Sequence, residues 1–185
     1  ELSENNSEMK KIVENQKKTL EEEDRRRQLA EAKRLNNAGV MSYHNGQYEK
    51  ALEMFGKAIE IDGTFTEAYN NLGLTYTEVS EEEKATEAFK KAIELNPELG
   101  ATYNNLGYVF YRMGSYTDAI DMYNEAIGRS GDNSSAWTNL GNAYYKLDRI
   151  DEALDAWNKA LEIDPSNEKA RRNLKRFHAE VKEEM

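Results

Sequence analysis

The chain has 185 residues, 38% hydrophobic and 32% charged, with two prolines, no cysteine and a net charge of −10. That is enough for one buried core or one continuous array, and too acidic for a broad basic surface that grips duplex nucleic acid. The absence of cysteine excludes disulfides, thiolate chemistry and cysteine-held zinc.

No apolar run nears the roughly 18 residues of a bilayer span, and no signal-peptide pattern is read. A start at Glu1 rather than methionine leaves room for a removed leader or anchor, so the compartment stays open.

Residues 1–31 hold nine acidic and seven basic residues around a sparse apolar set, Leu2, Met9, Ile12, Val13, Leu20 and Leu29. Glu14 precedes Lys18 by four, and Glu21, Glu22 and Glu23 precede Arg25, Arg26 and Arg27 by four. That order favours ion pairs on a helix, worth a few tenths of a kcal/mol each. Thr19 with Glu22 reads as a capping box. The segment is expected to form a solvated helix that can run on into the first repeat; a coiled-coil arm lacks a clean heptad.

From residue 32 a period of 34 takes over. Asn37, Asn71, Asn105, Asn139 and Asn173 mark it, and the units are 32–65, 66–99, 100–133 and 134–167. In the first half of each unit, apolar residues at places 4 and 7 (Leu35 and Ala38, Tyr69 and Leu72, Tyr103 and Leu106, Trp137 and Leu140) precede a glycine at place 8: Gly39, Gly73, Gly107, Gly141. A mid-helix glycine costs up to about 1 kcal/mol relative to alanine, so four in register imply that something crosses closely there. The second half carries alanine at places 20 and 27 and an aromatic at place 24: Phe55, Phe89, Tyr123, Trp157. Alternating small and large residues make surfaces that bury only against their neighbours. Gly63, Pro97, Gly131 and Pro165 punctuate the unit ends. After Pro165 a more polar segment keeps Asn173 and Leu174 among Arg171, Lys175 and Arg176, as expected of a helix that caps an array.

This pattern closely resembles the tetratricopeptide repeat over residues 32–167. Gly46 with Tyr48 and Gly114 with Tyr116 fit that family's inner turn; Ser80 with Glu82 and Asp148 with Ile150 depart from it, and those turns are expected to be looser or differently capped. The resemblance implies an all-α, right-handed superhelical solenoid of antiparallel helix pairs: an extension 1–31, four repeats, and a capping helix 168–185. It also implies a protein- or peptide-binding scaffold rather than an enzyme.

In the family, places 2, 5, 6, 9, 12 and 13 of each first helix face an inner groove. Here they supply Lys33, Asn36, Asn37, Val40, Tyr43 and His44, then Glu67, Asn70, Asn71, Leu74, Thr77 and Glu78. Units three and four supply Ala101, Asn104, Asn105, Tyr108, Tyr111 and Arg112, then Ser135, Thr138, Asn139, Asn142, Tyr145 and Lys146. The cap adds Lys169, Arg172, Asn173 and Arg176. Cations and tyrosines thus gather towards the C-terminal end, an expected anchor for an acidic or aromatic group.

The asparagine row has two readings: residues suited to helix packing, or a ladder like that of O-linked N-acetylglucosamine transferases, whose amides hold an extended peptide backbone. An Asn amide offers both donor and acceptor, and five bonds of about 1 kcal/mol each suggest binding on the order of micromolar. The family's carboxylate clamp is not matched. Its places hold Asn36, Val40, Asn71, Ala101 and Asn105 in one register and Asn70, Leu74, Asn105, Ser135 and Asn139 in the next, with every cation missing.

Neither His44 nor His178 has the neighbours of a metal or catalytic site, and no phosphate-binding loop is read. The expectation is therefore no catalytic residue, cofactor or metal, and a partner that is another protein or peptide. Self-association through 1–31, the cap or the outer face, and service as the binding domain of a longer enzyme, are the competing readings.

Overall fold

The computed structural model describes residues 2–183, with side chains from 8 to 179. Glu1, the Leu2 side chain and residues 180–185 of the expected cap lie outside the described side chains. The elements are α1 (Leu2–His44), α2 (Tyr48–Ile61), α3 (Thr66–Glu78), α4 (Glu82–Leu95), α5 (Gly100–Arg112), α6 (Tyr116–Arg129), α7 (Ser134–Lys146), α8 (Ile150–Ile163) and α9 (Glu168–Glu183). Among the described residues there is no strand, and the chain is a helical solenoid. It divides into two compact units that part between Ala68 and Tyr69, inside α3.

In the first unit, α1 runs unbroken through residue 31, so the charged extension and the first helix of the first repeat are one rod. Every residue from 8 to 30 is exposed. With no packing to support this stretch, its helicity rests on local terms: Lys18 pairs with Glu14 at 3.8 Å and Lys17 with Glu21 at 3.9 Å. Arg27 meets Asp24, three residues back, at 3.5 Å. Thr19 is not an N-cap. It lies mid-helix and its hydroxyl donates to the Asn15 carbonyl one turn back, because the helix begins well before it. Packing starts where the repeat starts, with Leu35, Ala58 and Ala68 buried together under Met54, Ile59 and Phe65.

The second unit repeats one contact scheme. Phe89 packs with Ala85, Leu106 and Val109; Tyr123 with Ala119, Ile120, Leu140 and Ala143; Trp157 with Ala153, Ala160 and Ala170. Leu174 and Phe177 of α9 close over the last cluster, which leaves the outer face of α9 polar, as an array end requires.

The glycines at place 8 have one cause. A Cβ on Gly73 would lie 2.7 Å from the Phe89 ring, on Gly107 2.7 Å from Tyr123, and on Gly141 2.5 Å from Trp157; in the first unit Gly39 meets Phe55 at 2.6 Å. What crosses closely is the place-24 aromatic of the same repeat.

The inner turns correct the sequence reading. All four close alike, with the left-handed residue donating back three positions and its successor back five: Gly46 to Tyr43 and Gln47 to Ser42, Ser80 to Thr77 and Glu81 to Tyr76, Gly114 to Tyr111 and Ser115 to Phe110, Asp148 to Tyr145 and Arg149 to Tyr144. This is the Schellman arrangement. The second and fourth turns are therefore not looser; Ser80 and Asp148 are forced to φ 59° to match Gly46 at 71° and Gly114 at 79°. At the unit ends, Gly63 and Gly131 take no positive φ. The helices stop instead at Asp62, Asn96, Ser130 and Asp164, whose N–H groups each bond a carbonyl four residues back. Asp62 and Asp164 then fold the chain by accepting from the N–H groups of Thr64 and Ser166.

A non-glycine residue in the left-handed region costs about 1–2 kcal/mol, less for Asp, and glycine gives back some of that gain as unfolded-chain entropy. Asp148→Gly is expected to raise stability by about 0.5–1 kcal/mol in urea unfolding, and Gly114→Ala to lower it by a similar amount.

Candidate peptide-binding surface

Two capped helices frame the site, which lies wholly in the second compact unit. Asn133 accepts from the Ala136 N–H at 3.0 Å and starts α7; Asn167 accepts from the Ala170 N–H at 3.0 Å and starts α9. Asn167 also donates to Ser134 Oγ at 2.7 Å and Thr138 Oγ1 at 2.8 Å, tying the two helix starts together. Its importance was not read from the sequence, although an Asn directly before Glu168 is an N-cap signal.

With α9 so placed, Asn104, Asn105, Tyr108, Ser135, Thr138, Asn139, Asn167 and Lys169 line a polar cleft of about 340 Å³. A depression of about 30 Å³ adjoins it among Tyr108, Tyr111, Tyr123, Asn139 and Asn142.

The asparagines bond to one another across successive repeats. Asn105 Nδ2 donates to Asn70 Oδ1 at 3.3 Å, Asn139 Nδ2 to Asn104 Oδ1 at 3.0 Å, and Asn173 Nδ2 to Asn142 Oδ1 at 2.6 Å. Asn70 Oδ1 also accepts from Thr102 at 3.2 Å. The buried Trp157 fixes the last pair, because its indole N–H, a donor only, reaches Asn142 Oδ1 at 3.0 Å. The Asn142 carbonyl thereby accepts from both Trp157 and Asn173, and the residue lines the small depression beside the cleft. Each donating amide uses one of its two N–H groups in this bond. Asn71 is half-buried on α3, and Asn37 is exposed on α1 in the first unit, apart from this network.

The aromatic and basic residues divide in the same way. The Arg176 guanidinium lies 5.6 Å from the Tyr145 ring centre, and Tyr145 packs on Trp157 at 5.7 Å. Tyr108, 46% exposed, lines both the cleft and the adjoining depression. Burial raises the pKa of the Tyr111 hydroxyl, Tyr116 adding to it and the Arg176 cation opposing it; burial raises Tyr123 further. Both phenols remain hydrogen-bond donors at neutral pH. Lys146 and Arg172 are exposed.

Arg112 is the exception among the expected groove cations. It bonds the Thr77 carbonyl, donates to Ser80 Oγ at 2.9 Å and pairs with Glu82 at 2.9 Å. It serves as a latch between the end of α3 and the start of α4, not as part of the cleft. Among the described residues no group of three or more His, Cys, Asp or Glu is placed to hold a metal ion, and no helix is long and apolar enough to cross a membrane.

Tetratricopeptide repeat profiles match residues 66–99 and 134–167, 39–79 and 109–148, and 88–121. The chain belongs to the tetratricopeptide repeat family. Two of the matched segments coincide with the second and fourth units of the 34-residue register. Among solved structures, the crystal structure of MamA is similar, at 29% identity and TM-score 0.70, covering 83% of this chain and 86% of that one. A second MamA crystal structure gives 29% identity and TM-score 0.68, covering 83% and 81%. MamA from residue 41 to its end, from Desulfovibrio magneticus RS-1, shares the fold at 21% identity and TM-score 0.70, over 78% of this chain and 81% of that one. No curated protein matches by sequence. As a tetratricopeptide repeat protein, the chain is a protein-interaction scaffold.

Replacing Arg112 by methionine removes three polar contacts while keeping much of the stem packing. Unfolding in urea is expected to show a loss of about 1–2 kcal/mol, whereas Lys146→Met is expected to stay within about 0.5 kcal/mol of the parent.

Proposed function

We propose that the second compact unit holds an extended segment of another protein in the cleft between α5, α7 and α9, with asparagine amides gripping its backbone. The supporting observation is the pairing of the asparagines themselves. Asn105, Asn139 and Asn142 are each held in one orientation by a neighbour, yet each keeps bonding capacity that matches a peptide group. Side chains ordered before binding lose less entropy on binding, so a modest number of bonds suffices for micromolar affinity. Asn70, Asn71, Asn104 and Asn173 extend the same grip, and Tyr108, Tyr111, Tyr145, Lys146, Arg172 and Arg176 supply the anchor for an acidic or aromatic side chain. In this reading the repeats 32–167 form the array, of which the part from Tyr69 on binds, the extension 1–31 is an appendage, and the start of the cap completes the cleft through Lys169.

Peptides selected on the full chain from a random displayed library test the proposal. For such peptides Asn105→Ala with Asn139→Ala is expected to weaken binding by tenfold or more at a temperature where both proteins are folded. Affinity that stays the same would remove the cleft as the binding surface.

A second reading, self-association through α1, has its own observation. Met9, Val13 and Leu20 are 64%, 61% and 62% exposed, and with Ile12 they fall within one face of the helix. Lys10 and Lys11 lie near the start of this stripe and Glu21, Glu22 and Glu23 follow its end, so two copies laid antiparallel bring opposite charges together. Light scattering across concentration is expected, on this reading, to show an oligomer that Val13→Glu with Leu20→Glu abolishes. A monomer at every concentration removes it.

A further inference from the structure

One face of the first helix of a repeat does the same job throughout the second unit. Places 3, 7 and 10 stand on it at helical spacing, and it lies each time on the second helix of the repeat before. Leu106 and Val109 of α5 pack on Ala85 and Phe89 of α4. Leu140 and Ala143 of α7 pack on Ala119, Ile120 and Tyr123 of α6, and Ala170 of α9 on Ala153, Trp157 and Ala160 of α8. Val109, Ala143 and Ala170 are fully buried as a result. In α1 the same three places hold Arg34, Ala38 and Met41. What comes before them is the exposed rod, not a helix pair, and Met41 is 68% exposed. Arg34 does not close the gap, because Glu31, one turn back, holds its guanidinium at 2.6 and 2.7 Å. A groove of about 770 Å³ opens there, with Arg27, Ala30 and Arg34 of α1 on one side and Glu60 and Ile61 of α2 on the other. Steps of seven back from Arg34 reach Arg27, Leu20 and Val13, so the exposed stripe of α1 continues the same face.

We propose that this face of α1, centred between Arg34 and Met41, docks an amphipathic helix of another protein. The array itself says what kind of helix fits. Places 3, 7 and 10 of α5, α7 and α9 all receive a helix that carries alanine at places 20 and 27 and an aromatic ring at place 24. The occupant therefore presents small residues beside a large one at three- and four-residue spacing. Ala30 and Ala38 on either side of Arg34 leave room for it to approach closely. A folded second copy has no such helix to give, because Phe55, Phe89, Tyr123 and Trp157 are each at most 1% exposed, covered by their own chain. The surface also lies in the first compact unit, whereas the cleft lies wholly in the second. The chain thus offers a helix-binding face on one unit and a cleft for an extended segment on the other, and either stands without the other.

The test uses the full chain and a fluorescein-labelled peptide of the α6 sequence, Tyr116–Arg129, held helical by a hydrocarbon staple across the exposed positions Asp121 and Glu125. In fluorescence polarisation this peptide is expected to bind at least tenfold more tightly than the same peptide with Ala119→Glu and Tyr123→Glu. Met41→Glu in the chain, an exposed position where circular dichroism checks the fold, is expected to weaken binding by tenfold or more. Met41→Leu is expected to stay within about threefold of the parent. Binding that Met41→Glu leaves unchanged overturns the proposal, and so does the absence of binding up to about 1 mM peptide. Loss of binding in Asn105→Ala with Asn139→Ala instead puts the peptide in the cleft and overturns it too. Light scattering supplies the last arm: an oligomer of the full chain that Met41→Glu dissolves gives the face to a second copy, against the proposal.

Discussion

One steric contact underlies the architecture: an aromatic side chain at place 24 packed against a glycine at place 8 of the same repeat. With a ring less than 3 Å from where a Cβ would stand, the two helices approach more closely than any side chain allows, and the ring is enclosed on all sides. Phe55, Phe89, Tyr123 and Trp157 are each at most 1% exposed. Burial of a ring this size contributes roughly 2–3 kcal/mol, against about 1 kcal/mol for placing glycine in a helix, so the exchange is favourable in every repeat. It also determines where the other face of the first helix points. The cleft is lined from places 2, 5, 6 and 9 of the first helices, as Ser135, Asn104, Thr138, Asn105, Asn139 and Tyr108.

From that follows the pairing of the asparagines. An amide at place 6 stands within reach of place 5 in the repeat before it, and the two bond. Packing and recognition are opposed readings of the row when only the sequence is considered; on the proposed function the first is a condition of the second. An unpaired asparagine on a helix surface rotates freely; one already bonded on one side presents its remaining N–H and carbonyl in a fixed direction. Trp157 extends the argument into the core, because the ring that fills the Gly141 gap also orients Asn142 through its indole N–H.

The periodic part of this fold was legible because each repeat must satisfy the same steric demand, and glycine, alanine and aromatic residues at fixed places record it. What the sequence hid were features where different residues solve one problem. Ser80 and Asp148 look like departures from Gly46 and Gly114, yet the backbone turn is the same, since two hydrogen bonds and the packed helices on either side outweigh a local strain of about 1 kcal/mol. Thr19 matched a cap by spacing alone, but a cap needs a helix end, and α1 supplies none there. Asn167 was passed over because the search followed places inside the first helix, and its role arises at the residue just before one.

Arg112 and Lys146 show how much of a site depends on the neighbouring repeat. Both occupy place 13 at the end of a first helix, and both read as groove cations. Arg112 can reach back to the preceding repeat, where places 15 and 17 hold Ser80 and Glu82, an acceptor and a carboxylate, and it is held there. The corresponding places before Lys146 are Gly114 and Tyr116, which offer neither a side-chain acceptor at the turn nor a charge. The same departure from the family's turn that places Ser80 in a strained conformation thus withdraws one cation from the cleft, while adherence to the pattern at Gly114 leaves the next one outward. A cation at place 13 is therefore left outward only when places 15 and 17 of the repeat before it offer no acceptor, and charge along such a surface has to be assigned in pairs of adjacent repeats rather than one at a time.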